Sequence, residues 1–225
     1  MDHPTAPQPP LTPSSLAARL RHVRWLGGGS GAGKSTVARQ LASGYGLRLY
    51  SCDESIAEHA RRASAAAAPL LQAFLAMDMD ERWVNRTPEE MYQTFPWFHG
   101  EGFGLMLEDL LALPEAPSII VEGFRLLPRL VAPLLSQPHQ AAWLVPTPAF
   151  RQSAFDARGF TWEIPNKTSN PEHALSNLLL RDQLFTDEVA RQARAAHLQL
   201  IEVDGRLTVA ELAREVALGL GLAGQ

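Results

Sequence analysis

Gly27 to Thr36 spell GGGSGAGKST directly behind an apolar stretch at 23–26, and Gly28, Gly33, Lys34 and Ser35 fit the phosphate-binding spacing G-x-x-x-x-G-K-[ST]. Glycines let the successive backbone N–H groups from Gly28 through Gly29, Ser30, Gly31, Ala32 and Gly33 curl around an anion. A helix opening with Lys34, Ser35 and Thr36 turns its positive end toward the same anion. Lys34 is expected to reach the β- and γ-phosphates of a nucleoside triphosphate, ATP, and Ser35 to place its hydroxyl on Mg²⁺. Two carboxylates end other apolar runs, Asp53 after 47–51 and Glu122 after 119–121. Cys52 is expected to be a small buried side chain, and the scattered histidines at 59, 99, 139, 173 and 197 do not spell a zinc site.

These groups need a scaffold that brings strand ends together. Apolar runs at 21–26, 47–51, 118–121, 141–145 and 198–203 predict five strands. Helical patterning predicts helices at 16–20, capped by Ser14 or Ser15, and at 34–45, ended by Gly44 and Gly46. Others are expected at 152–158, from about 172, and at 209–220. A long helical stretch at 55–113 is interrupted at 85–88 and near Pro96, with Thr87-Pro88 as a cap and first-turn proline. Continuous apolar strands separated by helices indicate an α/β three-layer sandwich with a mostly parallel five-stranded sheet. The glycine-rich run then lies at the carboxyl end of the first strand, where doubly wound folds bind ligands.

With 225 residues the chain supports one domain, 15–222, preceded by an arm at 1–14 with five prolines that reads as disordered and not as a signal peptide. The formal charge of -4 argues against a nucleic-acid partner. One cysteine rules out an internal disulfide, and no stretch approaches a membrane span, so a cytoplasmic location is expected. The alanine-rich stretch at 64–69 with Phe74 fits a core cover and a homodimer contact equally well.

GGSGAGKS, the acidic strand end at Asp53 and IIVEGFR at 119–125 resemble the small-molecule kinase branch of the P-loop nucleoside triphosphate hydrolases. That group holds nucleoside monophosphate, shikimate and gluconate kinases and chloramphenicol phosphotransferase. IIVEGFR is similar to the DGFPR stretch of adenylate kinases, with Glu122 in place of aspartate and the proline missing. LEDLLALP, VEG…LLP, WLVPT and N-x-x-x-R-D also resemble a set of poorly characterised bacterial P-loop kinases. The resemblance spans about 21–219. It implies a P-loop kinase fold with a helical acceptor-binding insertion at about 55–113 and a lid at about 150–188.

On that resemblance Asp53 orients an acceptor hydroxyl and takes its proton. As a plain sequence feature it is equally a helix cap, with Glu54 as a weaker alternative. Glu122 stands where a Walker B carboxylate would hold Mg²⁺, or it is a solvent-facing strand end. Arg125 is a candidate acceptor ligand or a surface arginine. Arg181 and Arg158 are the lid cations expected to stabilise the transferring phosphoryl group, ahead of Lys167 and Arg151. Trp97, grouped with His99 and Glu101, is a candidate acceptor wall against the alternative of core packing.

The function that follows is an ATP- and Mg²⁺-dependent transfer of the γ-phosphoryl group to a hydroxyl of a small molecule: a sugar, nucleoside, antibiotic or related metabolite. The alternatives are a nucleoside monophosphate kinase, using Arg61, Arg62, Arg82 and Arg86, and a regulatory ATPase without an acceptor. Asn166-Lys167-Thr168-Ser169 has the first two residues of a guanine-reading NKxD motif and lacks its aspartate.

Overall fold

The computed structural model describes residues 12–158 and 161–222, the side chain of Arg158 excepted. Five strands, β1 (Val23–Gly28), β2 (Arg48–Ser51), β3 (Ile119–Glu122), β4 (Ala141–Pro146) and β5 (Gln199–Val203), form one all-parallel sheet in the order β2-β3-β1-β4-β5. The helices are α1 (Pro13–Arg19), α2 (Lys34–Tyr45), α3 (Ile56–Arg62), α4 (Pro69–Ala76), α5 (Met79–Trp83) and α6 (Pro88–Thr94). After these come α7 (Phe103–Ala112), α8 (Pro128–Val131), α9 (Pro148–Arg158), α10 (Pro171–Ala195) and α11 (Val209–Gly219).

The strands are apolar at successive positions because both faces of the sheet are covered. Trp25, Ile119, Val121 and Trp143 pack with Met106 and Leu110 of α7 and Phe185 and Val189 of α10. Leu26, Ile120, Ala142 and Leu144 pack with Val37 and Leu41 of α2 and with Leu212 and Val216 of α11. The result is the expected three-layer α/β sandwich. Among the described residues no helix is long and apolar enough to cross a membrane.

Several expected boundaries move for local reasons. β1 runs on through Gly27 and Gly28, because only glycine tolerates the approach of β4. A Cβ at Gly28 would lie 2.0 Å from the Leu144 carbonyl oxygen, and one at Gly27 2.3 Å from Trp143 Nε1. Helix α1 is capped by Thr12, with Pro13 at its first turn, and not by Ser14 or Ser15. The expected arm thus overlaps α1 at residues 12–14, and its residues 1–11 lie outside the described residues. The expected helical stretch at 55–113 is five short helices and a 3₁₀ turn. Pro69, Pro88 and Pro96 each start an element, and Gly100 and Gly102, at φ 89° and 76°, separate Phe98 from α7. The alanine-rich segment is a turn, since Ala68 precedes proline and leaves the helical region at φ -140°, ψ 63°. Ala68 and Phe74 are both buried in the chain's own core.

Candidate functional site

Parallel register sets the site. Glu122, the last residue of β3, lies opposite Leu26 of β1 on one side and Ser51 of β2 on the other. The glycine-rich loop, the buried end of β3 and the Cys52-Asp53 turn therefore leave the sheet side by side at its carboxyl edge.

The loop is tied at its start and open at its end. Gly29 N–H donates to the Leu144 carbonyl (3.0 Å), and Lys34 Nζ reaches back across the loop to the Gly29 carbonyl (2.8 Å). Ala32 packs into the core beside α2, while Thr36 is exposed. Gly31 and Gly33 both sit in the left-handed region, at φ 80° and 81°. A Cβ at Gly31 would also be crowded to 3.0 Å by Cγ of Arg151. Gly33 is the N-cap of α2 and supplies no side chain, so the first-turn N–H groups of this helix have no side-chain acceptor. By contrast α1, α5, α6, α10 and α11 each carry a side-chain cap from Thr12, Asp78, Thr87, Asn170 and Thr208.

Below the loop, Ser35 Oγ donates to Glu122 Oε2 (3.0 Å) and Ser51 Oγ donates to Glu122 Oε1 (2.9 Å). Glu122 is 1% exposed, so the expected pair of metal-holding groups is joined inside the protein and not at a solvent-facing strand end. Hydroxyl and carboxylate oxygens are the hard donors that Mg²⁺ prefers, so the residues present fit that ion.

Asp53 and Lys34 line one cavity of about 180 Å³ together with Ser30, Gly31, Gly33, Ser35, Phe124 and Phe155. Asp53 caps no helix; Ser55 occupies the N-cap position of α3. Crowding by the cleft walls raises the Asp53 pKa, Lys34 opposes the rise and Glu122 adds to it. The carboxylate still has an open side to solvent. Glu54, next to it, is exposed.

The remaining expected residues divide. Arg125 is buried and turned to backbone carbonyls: Nη1 donates to Cys52 (3.3 Å) and Nη2 to Gly102 (3.0 Å), joining the end of β2 to the start of α7. Trp97 packs against Phe74 and Phe95 in the aromatic core of the segment between β2 and β3. Its companion Glu101 accepts the backbone N–H groups of Leu70 and Leu71, both at 2.8 Å, and so caps α4. His99 shares a hydrogen bond with the Tyr92 carbonyl. Arg181 is buried on α10, doubly bonded to Asp182 Oδ1 through Nε (3.0 Å) and Nη2 (2.6 Å), and its guanidinium lies over Phe95 (4.4 Å), Trp83 (5.0 Å) and Phe98 (5.2 Å). Arg158 is the last residue of α9, and its side chain lies outside the described residues. Lys167 is exposed near Glu163.

One residue gains importance in three dimensions. Arg151, in the first turns of α9, lies against Gly31 and is 5% exposed. Nη2 bonds the Leu179 carbonyl and Gln183, whereas Nε and Nη1 are buried without a protein partner. Burial lowers its pKa, opposed by Asp182 and Asp187, and a buried guanidinium stays charged in any case. No feature of the sequence separates Arg151 from its neighbours; only the packing of α9 on the loop does.

No family model matches the chain, and no curated protein matches it. Among solved structures, that of an uncharacterized protein from Eubacterium ventriosum ATCC 27560 matches with a TM-score of 0.43 and 13% sequence identity, covering 89% of this chain and 98% of the other.

Proposed function

We propose that this protein is a cytoplasmic P-loop kinase that transfers the γ-phosphoryl group of ATP to a hydroxyl of a small molecule. The observation that carries the reading is the Ser35–Glu122 hydrogen bond beneath an uncapped glycine loop, with Asp53 and Lys34 on one cavity above it. The loop N–H groups and Lys34 bind the phosphates. Ser35 and Glu122 would hold Mg²⁺, with the Ser35 hydroxyl kept in place by Glu122. The ion, when bound, neutralises charge between the β- and γ-phosphates. As the acceptor oxygen bonds to the γ-phosphorus, the bond from that phosphorus to the bridging oxygen breaks, ADP leaves, and the hydroxyl proton passes to Asp53. A carboxylate whose pKa is raised by its surroundings is a better proton acceptor than an ordinary one. Arg151 packs its aliphatic stem on Gly31 while its guanidinium bonds Leu179 and Gln183 of α10, and so braces the loop that binds the phosphates.

Of the four arginines expected to serve a nucleoside monophosphate acceptor, Arg61 is exposed and the other three are engaged elsewhere. Arg62 pairs with Glu58, Glu108 and Asp109, Arg82 bonds the Phe74 and Leu75 carbonyls, and Arg86 bonds the Glu90 carbonyl. The test is ADP release with a panel of small alcohols, with Lys34→Ala and Asp53→Ala alongside. Acceptor-dependent ADP release that both substitutions remove is the expected result. ADP release indifferent to every acceptor makes the protein an ATPase, and full activity in Asp53→Ala removes that residue from the chemistry.

A further inference from the structure

Next to the loop cavity, and sharing Ser30 and Phe155 with it, is a second cavity of about 290 Å³. Its walls are mostly apolar: Phe155, Ile164 and Pro165 on one side, and Leu175, Leu178 and Leu179 of α10 on the other. That volume is at the small end of ligand pockets, roughly 300 to 1,000 Å³.

Polar groups are few, and two are adjacent. Arg181 Nη1 is a buried donor with no protein acceptor, although the same guanidinium is locked by Asp182 and three aromatic rings. Asp182 uses Oδ1 for that lock, and its other oxygen has no protein partner among the described residues. Nη1 itself has no exposed surface, so the group of this pair that a molecule in the cavity can reach is the free oxygen of Asp182. A carboxylate oxygen in an apolar cavity is matched by the O–H of an alcohol, which donates to it. An anion fits poorly, because Asp182 offsets Arg181 and Glu163 also lines the cavity.

We infer that this cavity holds the phosphoryl acceptor, and that the acceptor is an uncharged alcohol with a compact apolar body. The assignment rests on the phosphotransfer reading above and narrows it: the carboxylates Asp182 and Glu163 select against phosphorylated sugars and nucleotides as acceptors, and Asp182, held in place by Arg181, orients the substrate by accepting its hydroxyl hydrogen bond.

Saturation-transfer NMR on the full chain, with benzyl alcohol and benzyl phosphate as probes, tests it. Benzyl alcohol binds the wild-type protein and binds Leu175→Asp roughly tenfold more weakly or worse, because a carboxylate in an apolar wall is heavily penalised. Ile164→Trp, altering a more exposed wall residue, weakens it too and guards against misfolding of the first variant. Benzyl phosphate shows no binding that depends on Leu175. The inference is overturned if the phosphate binds this wall as well as the alcohol does, if the alcohol binds all three proteins equally, or if neither probe binds. Calorimetric titration with ATP and Mg²⁺ on the same samples reads the phosphotransfer assignment by itself. Wild-type protein that takes the alcohol and refuses ATP overturns the acceptor role and leaves the preference for a neutral alcohol standing.

Discussion

The carboxyl edge of the sheet and the aromatic segment between β2 and β3 are both dense in charged and polar side chains, yet they are built on opposite rules. In the segment, charges are matched internally. Arg62 bridges Glu58, Glu108 and Asp109, Glu101 caps α4, and Asn177 of α10 donates to the Trp83 carbonyl. At the loop the matching stops short: α2 has no side-chain cap, and Arg151, whose stem packs on Gly31, holds two buried N–H groups without a protein partner. Backbone N–H groups at the start of a helix that lack a side-chain acceptor are open to an anion from outside the chain. Polar richness alone does not separate a site from a scaffold. The open start of α2 behind a loop of left-handed glycines does.

Substitutions on the two sides should therefore fail differently. Trp83→Ala, which removes a ring packed on Phe74, Phe95 and Arg181, is expected to cost about 3–5 kcal/mol in urea unfolding. ATP affinity of the folded fraction should hold; if it collapsed with stability, the two regions would form one unit. Lys34→Ala reverses the pattern: phosphoryl transfer falls by roughly 10²–10³, with a melting temperature near that of wild type. A Lys34→Ala protein that unfolds instead would make the loop part of the scaffold. Glu101→Ala releases two backbone N–H groups at the start of α4 and should destabilise by about 2 kcal/mol, with Trp97→Phe as a milder control. Transfer kinetics unchanged in Glu101→Ala keep that carboxylate out of the site; a selective rise in KM for the acceptor would put it back.

Legibility in the sequence follows the same divide. Helix α2 has its expected bounds, with Gly46 ending it in left-handed geometry, whereas Gly44, also expected to end it, lies inside the helix. The strands are legible as apolar runs covered on two faces, and once they are parallel and adjacent, Asp53, Glu122 and the loop must emerge together. Ser35 meeting Glu122 is a consequence of register more than of motif. The aromatic segment is harder. Its helices are set by prolines and positive-φ glycines, and the partners of Glu101 are backbone groups far along the chain, which no pattern of side chains announces. Arg151 and Arg125 are told apart by where they pack: the stem of Arg151 lies on the loop at Gly31, whereas Arg125 joins Cys52 to Gly102.

The smallest expected effect tests the internal matching by pH. Asp109 of α7 joins Tyr50 Oη (2.8 Å), His59 Nε2 (2.7 Å) and Arg62 Nη1 (2.7 Å), and so fastens β2 and α3 to α7. Burial works against its charge, but donation from Arg62, His59 and Tyr50 prevails and lowers its pKa to about 2. In the unfolded chain an aspartate titrates near 3.9. The folded state therefore holds this proton less tightly than the unfolded one, and the contribution is complete above about pH 4 and lost as pH falls toward 2. With solvent screening of a partly exposed group discounted, it amounts to about 1 kcal/mol. Wild-type urea midpoints should fall from pH 5 to pH 3 more steeply than those of Asp109→Asn, which cannot titrate. Parallel slopes would mean that Asp109 is not the carboxylate that fastens this segment, while a steeper loss accompanied by weaker ATP binding would tie the aromatic segment to the loop after all.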